Sequence, residues 1–391
     1  MLFLIKRELK LNLPSEKKIF MVCAIILCFM AIPYRSYLIS QGYENGLANA
    51  DMQCYVSLAD QIKNMGIGAG FKTISNDWNL QNANFVQIWG YRLYIYFLVV
   101  TVYKWTFIPV TVSIYLVSIW QVLAGLYSML RIYNSIKDKF VKYEKATLLL
   151  MLLAPSVWYG CVRLLREVFM LLCMQTMICA LLRNERARNA KLAVSMVILT
   201  VIRPYYAVLM IPLLFLLMGK EKLALIIEAA YSAGLALICI VRHVSPVAIL
   251  GVVLSPNYFN QVIYVLRDAL AVYVSGQITL INFIGSVWNM VILFYCMISF
   301  LFREEYTDLR YWSGIGLIQD ISMMYAIAYA GNTELRHKLF FVIPYMMLLN
   351  SGAGKPAPRR EITDRASGAD TINFFVMEFM LLYALVVSFT L

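Results

Sequence analysis

The chain has 391 residues, 61% of them hydrophobic and 14% charged, with a net charge of +12 and a mean hydropathy of +0.71. Apolar runs recur from Lys18 almost to Leu391, which excludes a water-soluble domain and a single anchor and predicts an all-α, polytopic transmembrane helical bundle. The excess Lys and Arg falls in short loops between these runs, so positive-inside bias accounts for it and no nucleic acid is implied.

The first apolar run follows Lys17 and Lys18 as in a signal sequence. No small-residue cleavage site follows it, so it reads as a retained span over about residues 19–34. Lys6, Arg7, Lys10, Lys17 and Lys18 keep the amino terminus cytoplasmic, and Arg35 emerges outside. An outer loop, 35–84, then begins, rich in Asn, Gly and Asp and too polar to be embedded throughout. If the stretch from Ala50 to Asp60 is helical, Asp51, Tyr55 and Ala59 share a face that can rest against the membrane domain. On a second reading Asp51 only caps a solvated surface helix.

Residues 84–130 have length for two spans where orientation asks for an odd number. Tyr91, Arg92, Tyr94 and Tyr96 favour an interfacial or re-entrant element from Phe85 to Tyr103. From Pro155 to Met170 the charges interrupt two apolar runs at the predicted outer boundary. Arg166 with Glu167 is there either an ion pair closing a helical hairpin or a substrate-contacting pair. Arg203 and Pro204 break the next apolar stretch, exposing backbone near a cavity or letting Arg203 snorkel to the interface. Glu228, Asp320 and Glu378 fall inside apolar runs, as an ion pathway or as protonated interhelical hydrogen-bonding groups. Arg336 and His337 form either a phosphate site or flanking charge at a span boundary.

Basic clusters around Arg131, Arg183, Lys220, Arg303 and Lys355 mark cytoplasmic returns, and about eleven spans result. Residues 351–371 read as a cytoplasmic linker and 372–391 as the final span. The eight cysteines have no metal-ligand spacing, with Cys54 alone in a clear loop, and no disulfide framework is implied. There is no GxxxxGK[ST], HExxH or GxSxG, and there are 2 histidines, which argues against ATP-driven transport, zinc proteolysis and a serine-hydrolase elbow.

The order of these features resembles the GT-C superfamily of membrane glycosyltransferases, of the kind found in bacterial polysaccharide clusters. The resemblance is carried by Asp51, Tyr55 and Ala59 after the first span, then Pro155, Arg166 and Glu167, then Arg203 and Pro204, then Arg336 and Pro344. It covers most of residues 1–350, which it implies are a catalytic membrane domain in the bacterial plasma membrane with its active face outside. It further implies a polyprenyl-phosphate-linked sugar as donor, a glycan or lipid-linked acceptor, and membrane lipid as surroundings. Asp51 is then the general base, with Glu167 as alternative base or acceptor anchor. Tyr55 and Arg166 contact substrate, and Arg203, Arg336 and His337 meet the lipid phosphate. Many members carry a second acid beside the first, whereas Met52 and Gln53 follow Asp51 here. A divalent metal is therefore left open. A polysaccharide polymerase or ligase is the rival in the same pathway, and a lipid or solute transporter the rival from another class.

Overall fold

A computed structural model describes residues 15–40, 42, 50–77, 80, 85–104, 107–140, 148–149, 151–153, 161, 164–183 and 186–244, with no strand among them. They belong to two units, Glu16–Ser135 with Val157–Ala207, and Met1–Ser15 with Ile136–Ser156 and Val208–Leu391. Two of the described helices, over Val110–Lys137 and Glu221–Val241, are long and apolar enough to cross a membrane. The helical class is thus borne out among the described residues, and two of the helices have the length and composition of a membrane span. Asp320, Arg336, His337, Pro344, Glu378, the linker at 351–371 and the span at 372–391 lie outside the described residues.

In the larger described unit, α1 spans Glu16–Ser40, beyond the 19–34 expected of the first span. Arg35 consequently lies within a helix rather than in a loop. It is 2% exposed and donates from Nη2 to Ser118 Oγ at 2.8 Å, because a guanidinium taken from water needs a fixed acceptor. Met21, Val22, Ile25 and Phe29 on α1 point outward as large apolar side chains, a surface suited to lipid rather than water.

Within 35–84, expected to be an outer loop, the described residues include two helices. Helix α2 spans Ala50–Ile62 and α3 spans Ile67–Asn76. On α2 the side chains of Met52, Tyr55, Val56, Ala59 and Ile62 are buried, an i, i+3, i+4, i+7 stripe that gives the helix its packing energy. Burial of each large member stabilises by about 1.5–3 kcal/mol.

Helix α4, Phe85–Leu98, runs into a π-helical turn, Val99–Tyr103. Both pack on α2. Tyr103 Oη donates to the Val56 carbonyl at 3.2 Å, and Lys104 Nζ to the Lys63 carbonyl at 2.8 Å, so the π turn clamps the end of α2. The segment read as interfacial is therefore one continuous helix with a buried face.

Helix α5 spans Val110–Phe140, α6 Glu167–Leu182 and α7 Arg188–Ile202. Helix α7 packs on α6 and on α4. The expected break is present: Arg203 leaves α7 with φ −153° and ψ 93°, the extended conformation that a following proline imposes. Pro204 opens α8, Pro204–Leu217, where a missing N–H costs nothing.

Within the other unit, α8 closes through Gly219 at φ +72°. The Gly219 N–H donates to Leu216 O at 3.0 Å and the Lys220 N–H to Phe215 O at 2.9 Å, a left-handed helix end that glycine adopts without strain. Helix α9, Glu221–Val241, holds Glu228 with 0% exposure.

Candidate functional site

Side chains from α2, α4 and the facing ends of α6 and α7 converge in one region. Asp51 lies in the first turn of α2, half-buried. One turn on, Tyr55 is buried against Tyr91, with ring centroids 5.8 Å apart, and Tyr94, at 5.3 Å. Arg166 precedes the first turn of α6 and is 1% exposed. Its guanidinium carbon stands 3.9 Å from the Tyr91 ring centroid and 5.9 Å from that of Tyr55. Desolvated cation–π contacts of this kind contribute about 2 kcal/mol, which offsets part of the cost of burying the charge.

Arg166 and Glu167 do not pair with each other. Consecutive residues leave a helix start in divergent directions, and each instead reaches the end of α7. Arg166 Nη1 donates to the Ile202 carbonyl at 3.1 Å, while Glu167 Oε1 accepts from Arg203 Nη2 at 3.5 Å. Of the two readings of Arg166 with Glu167, the hairpin-closing ion pair is not formed, and Glu167 pairs instead with Arg203 at the α7–α8 break. Glu167 is buried at 2% side-chain exposure and Arg203 is partly buried at 12%.

Gly90 makes this approach possible. A Cβ at that position would clash with the Val201 carbonyl oxygen and come within 2.9 Å of Ile202 Cα. The helix start that carries Arg166, the carbonyl that holds it and the ring on which it stacks are therefore fixed together.

Burial pushes the Tyr55 phenol well above its ordinary value; the Arg166 guanidinium opposes the shift, Asp51 and Tyr91 add to it, and Arg203 opposes it. Tyr55 stays a neutral hydroxyl at any physiological pH, and its surroundings mix both signs of charge. Beside it the Cys54 thiol is pushed up to about 12 by burial, then by Asp77 and Asp51. Cys54 lies inside α2 rather than in a loop.

Asp51, Tyr55, Arg166, Glu167 and Arg203 accordingly occupy one region of one unit, while Arg336 and His337 fall outside the described residues. Among the described residues no group of three or more His, Cys, Asp or Glu could hold a metal ion. The sequence reading missed Tyr91 as the platform for Arg166 and Gly90 as the point of close approach. The signal for the second was present, a lone glycine in the bulky run from Phe85 to Val99. Compared with known protein families, curated proteins and solved structures, the chain matches none.

Proposed function

We propose that the chain is a membrane glycosyltransferase that moves a sugar from a polyprenyl-phosphate donor to a glycan or lipid-linked acceptor at the outer face of the membrane. The supporting observation is the convergence of Asp51 and Tyr55 from α2, Arg166 and Glu167 from the start of α6 and Arg203 from the end of α7, all of them among the residues that carry or follow from the resemblance to the GT-C superfamily.

In the proposed reaction an acceptor hydroxyl oxygen forms a bond to the anomeric carbon and its proton passes to the Asp51 carboxylate. The bond from that carbon to the phosphate oxygen breaks, and its electron pair leaves on the phosphate, inverting the configuration. Phosphate departs readily, so a second carboxylic acid to protonate the leaving group is not needed, unlike most glycoside hydrolysis. Asp51 suits the base better than Glu167, since Asp51 is half-buried and Glu167 is enclosed with an oxygen engaged by Arg203. Glu167 then positions Arg203, and positive groups stabilise the developing phosphate charge.

The test is transfer from a synthetic polyprenyl-phosphate sugar by purified protein. Asp51→Asn should lose on the order of a hundredfold in rate, since it keeps the size and loses the basic carboxylate. If Asp51 merely caps α2, transfer and thermal stability should stay near wild type, because Asn is itself a good cap. Glu167→Gln, made in parallel, would show the larger loss if the base were there. Full activity in both variants would sink the mechanism.

A further inference from the structure

We infer that Arg166 presents a preset fork for a two-oxygen anion, a phosphate or a carboxylate bound side-on by Nε and Nη2. Two other contacts hold this guanidinium in place. Nη1 donates to the Ile202 carbonyl at 3.1 Å, and the guanidinium carbon lies over the Tyr91 ring, 3.9 Å from its centroid. The remaining edge, Nε with Nη2, is buried and has no hydrogen-bond partner among the described residues.

That edge is the one whose N–H bonds run parallel and match two oxygens of one carboxylate or phosphate. Stacking leaves it clear, because an aromatic ring takes the face of a guanidinium and not its in-plane donors. Among the described residues the neighbouring carboxylate, Glu167, is turned to Arg203, so Arg166 is a buried cation without an ion-pair partner there. A buried charge with unmet donors is unfavourable until an anion completes it. The start of α6, a helix of 16 residues, adds its own preference for negative charge.

The geometry is also fixed in advance. The Ile202 carbonyl and the Tyr91 ring hold the guanidinium plane, and the contact at Gly90 holds Ile202. Little ordering therefore remains for the ligand to impose. Tyr91 is a positioning residue in this scheme, acting on the ligand through Arg166.

Two sources could supply such an anion: the phosphate of a lipid-linked donor, or the carboxylate of an acidic sugar. The inference rests on the sugar-transfer reading only for that choice of sources, and binding tests it without transfer. The full chain, purified in detergent, is titrated with polyprenyl phosphate, polyprenyl alcohol, a methyl hexuronide and the neutral methyl hexoside, reading calorimetric affinity and ligand-dependent thermal midpoint.

One anion should bind wild type at least ~10-fold tighter than its neutral counterpart, and the pair showing this identifies the source. Arg166→Lys, which keeps charge and loses the fork, should weaken it by ~10–100-fold. Tyr91→Phe, which keeps the ring, should bind as wild type. No preference for either anion in wild type overturns the fork without any variant, and so does unchanged anion affinity in Arg166→Lys. If Arg166→Lys does not fold, the wild-type comparison together with Tyr91→Leu decides: unchanged anion affinity in folded Tyr91→Leu overturns the positioning. Anion binding by a chain that transfers no sugar sinks the transferase reading alone. Transfer with unchanged anion affinity in Arg166→Lys sinks the fork alone.

Discussion

At the scale of single residues, the pairing of Glu167 with Arg203 at 3.5 Å separates two effects that a simple loss of activity would confuse. Glu167 is buried and Arg203 partly so, so removing the guanidinium weakens the support of an enclosed carboxylate. Such breaks cost about 3–5 kcal/mol, whereas replacing both charges by apolar groups is often neutral or stabilising. Arg203→Met should therefore lower the thermal midpoint markedly in detergent, and Arg203→Met with Glu167→Leu should recover most of the loss. If transfer stays low in that recovered double variant, the pair serves the reaction and not only the fold. An equal loss of stability in single and double variants would show that the pair contributes little to holding α6 against α7.

At the scale of elements, the contact between α4 and α7 at Gly90 sets two opposing effects against each other. Alanine is favoured over glycine in a helix by about 1 kcal/mol, but a methyl group there meets the Val201 carbonyl and stands 2.9 Å from Ile202 Cα. Forcing backbone apart costs about 1–3 kcal/mol, so the clash wins and Gly90→Ala should destabilise. Gly234, with open space around its would-be Cβ, is the control, and Gly234→Ala in α9 should be neutral or stabilising. Differential unfolding of the two variants measures this, and a stable Gly90→Ala would mean that α4 and α7 stand further apart.

The same elements show what was legible beforehand. Helix α2 and its buried face followed from the spacing of Asp51, Tyr55 and Ala59, and the α7–α8 break followed from Pro204, since both depend on local chain geometry. The partner of Glu167 was not legible, because adjacency in sequence suggested Arg166, and pairing depends on where α7 ends. The burial of Arg35 was hidden for the same reason, its acceptor Ser118 lying on α5.

At the scale of the whole molecule, the proposed orientation can be probed through thiols. Cys54 is a poor reporter, its thiol pushed up from 9.0 to about 12 by burial and then by Asp77 and Asp51. Near neutral pH its reactive thiolate is scarcer by a factor on the order of a thousand. A cysteine introduced at Asn45 should therefore be labelled by an impermeant reagent in intact cells much faster than Cys54. Labelling of Asn45→Cys only after the membrane is opened would place 35–84 inside and remove the site from the outer face.

The site also has a history along the chain. Its parts come from a unit assembled from Glu16–Ser135 and Val157–Ala207, with Tyr55 near one end and Arg203 near the other. A ribosome adding about 5–20 residues per second makes Tyr55 roughly 7–30 s before Arg203. Between its own synthesis and that of Arg166 the Tyr91 ring has no guanidinium to receive, and Arg166 is then made before the Ile202 carbonyl that holds it. In the proposed membrane reading, the charges at the start of α6 are meanwhile kept from lipid by water, headgroups or the insertion machinery. On that reading Arg166 and Glu167 gain the contacts described here only when the end of α7 arrives.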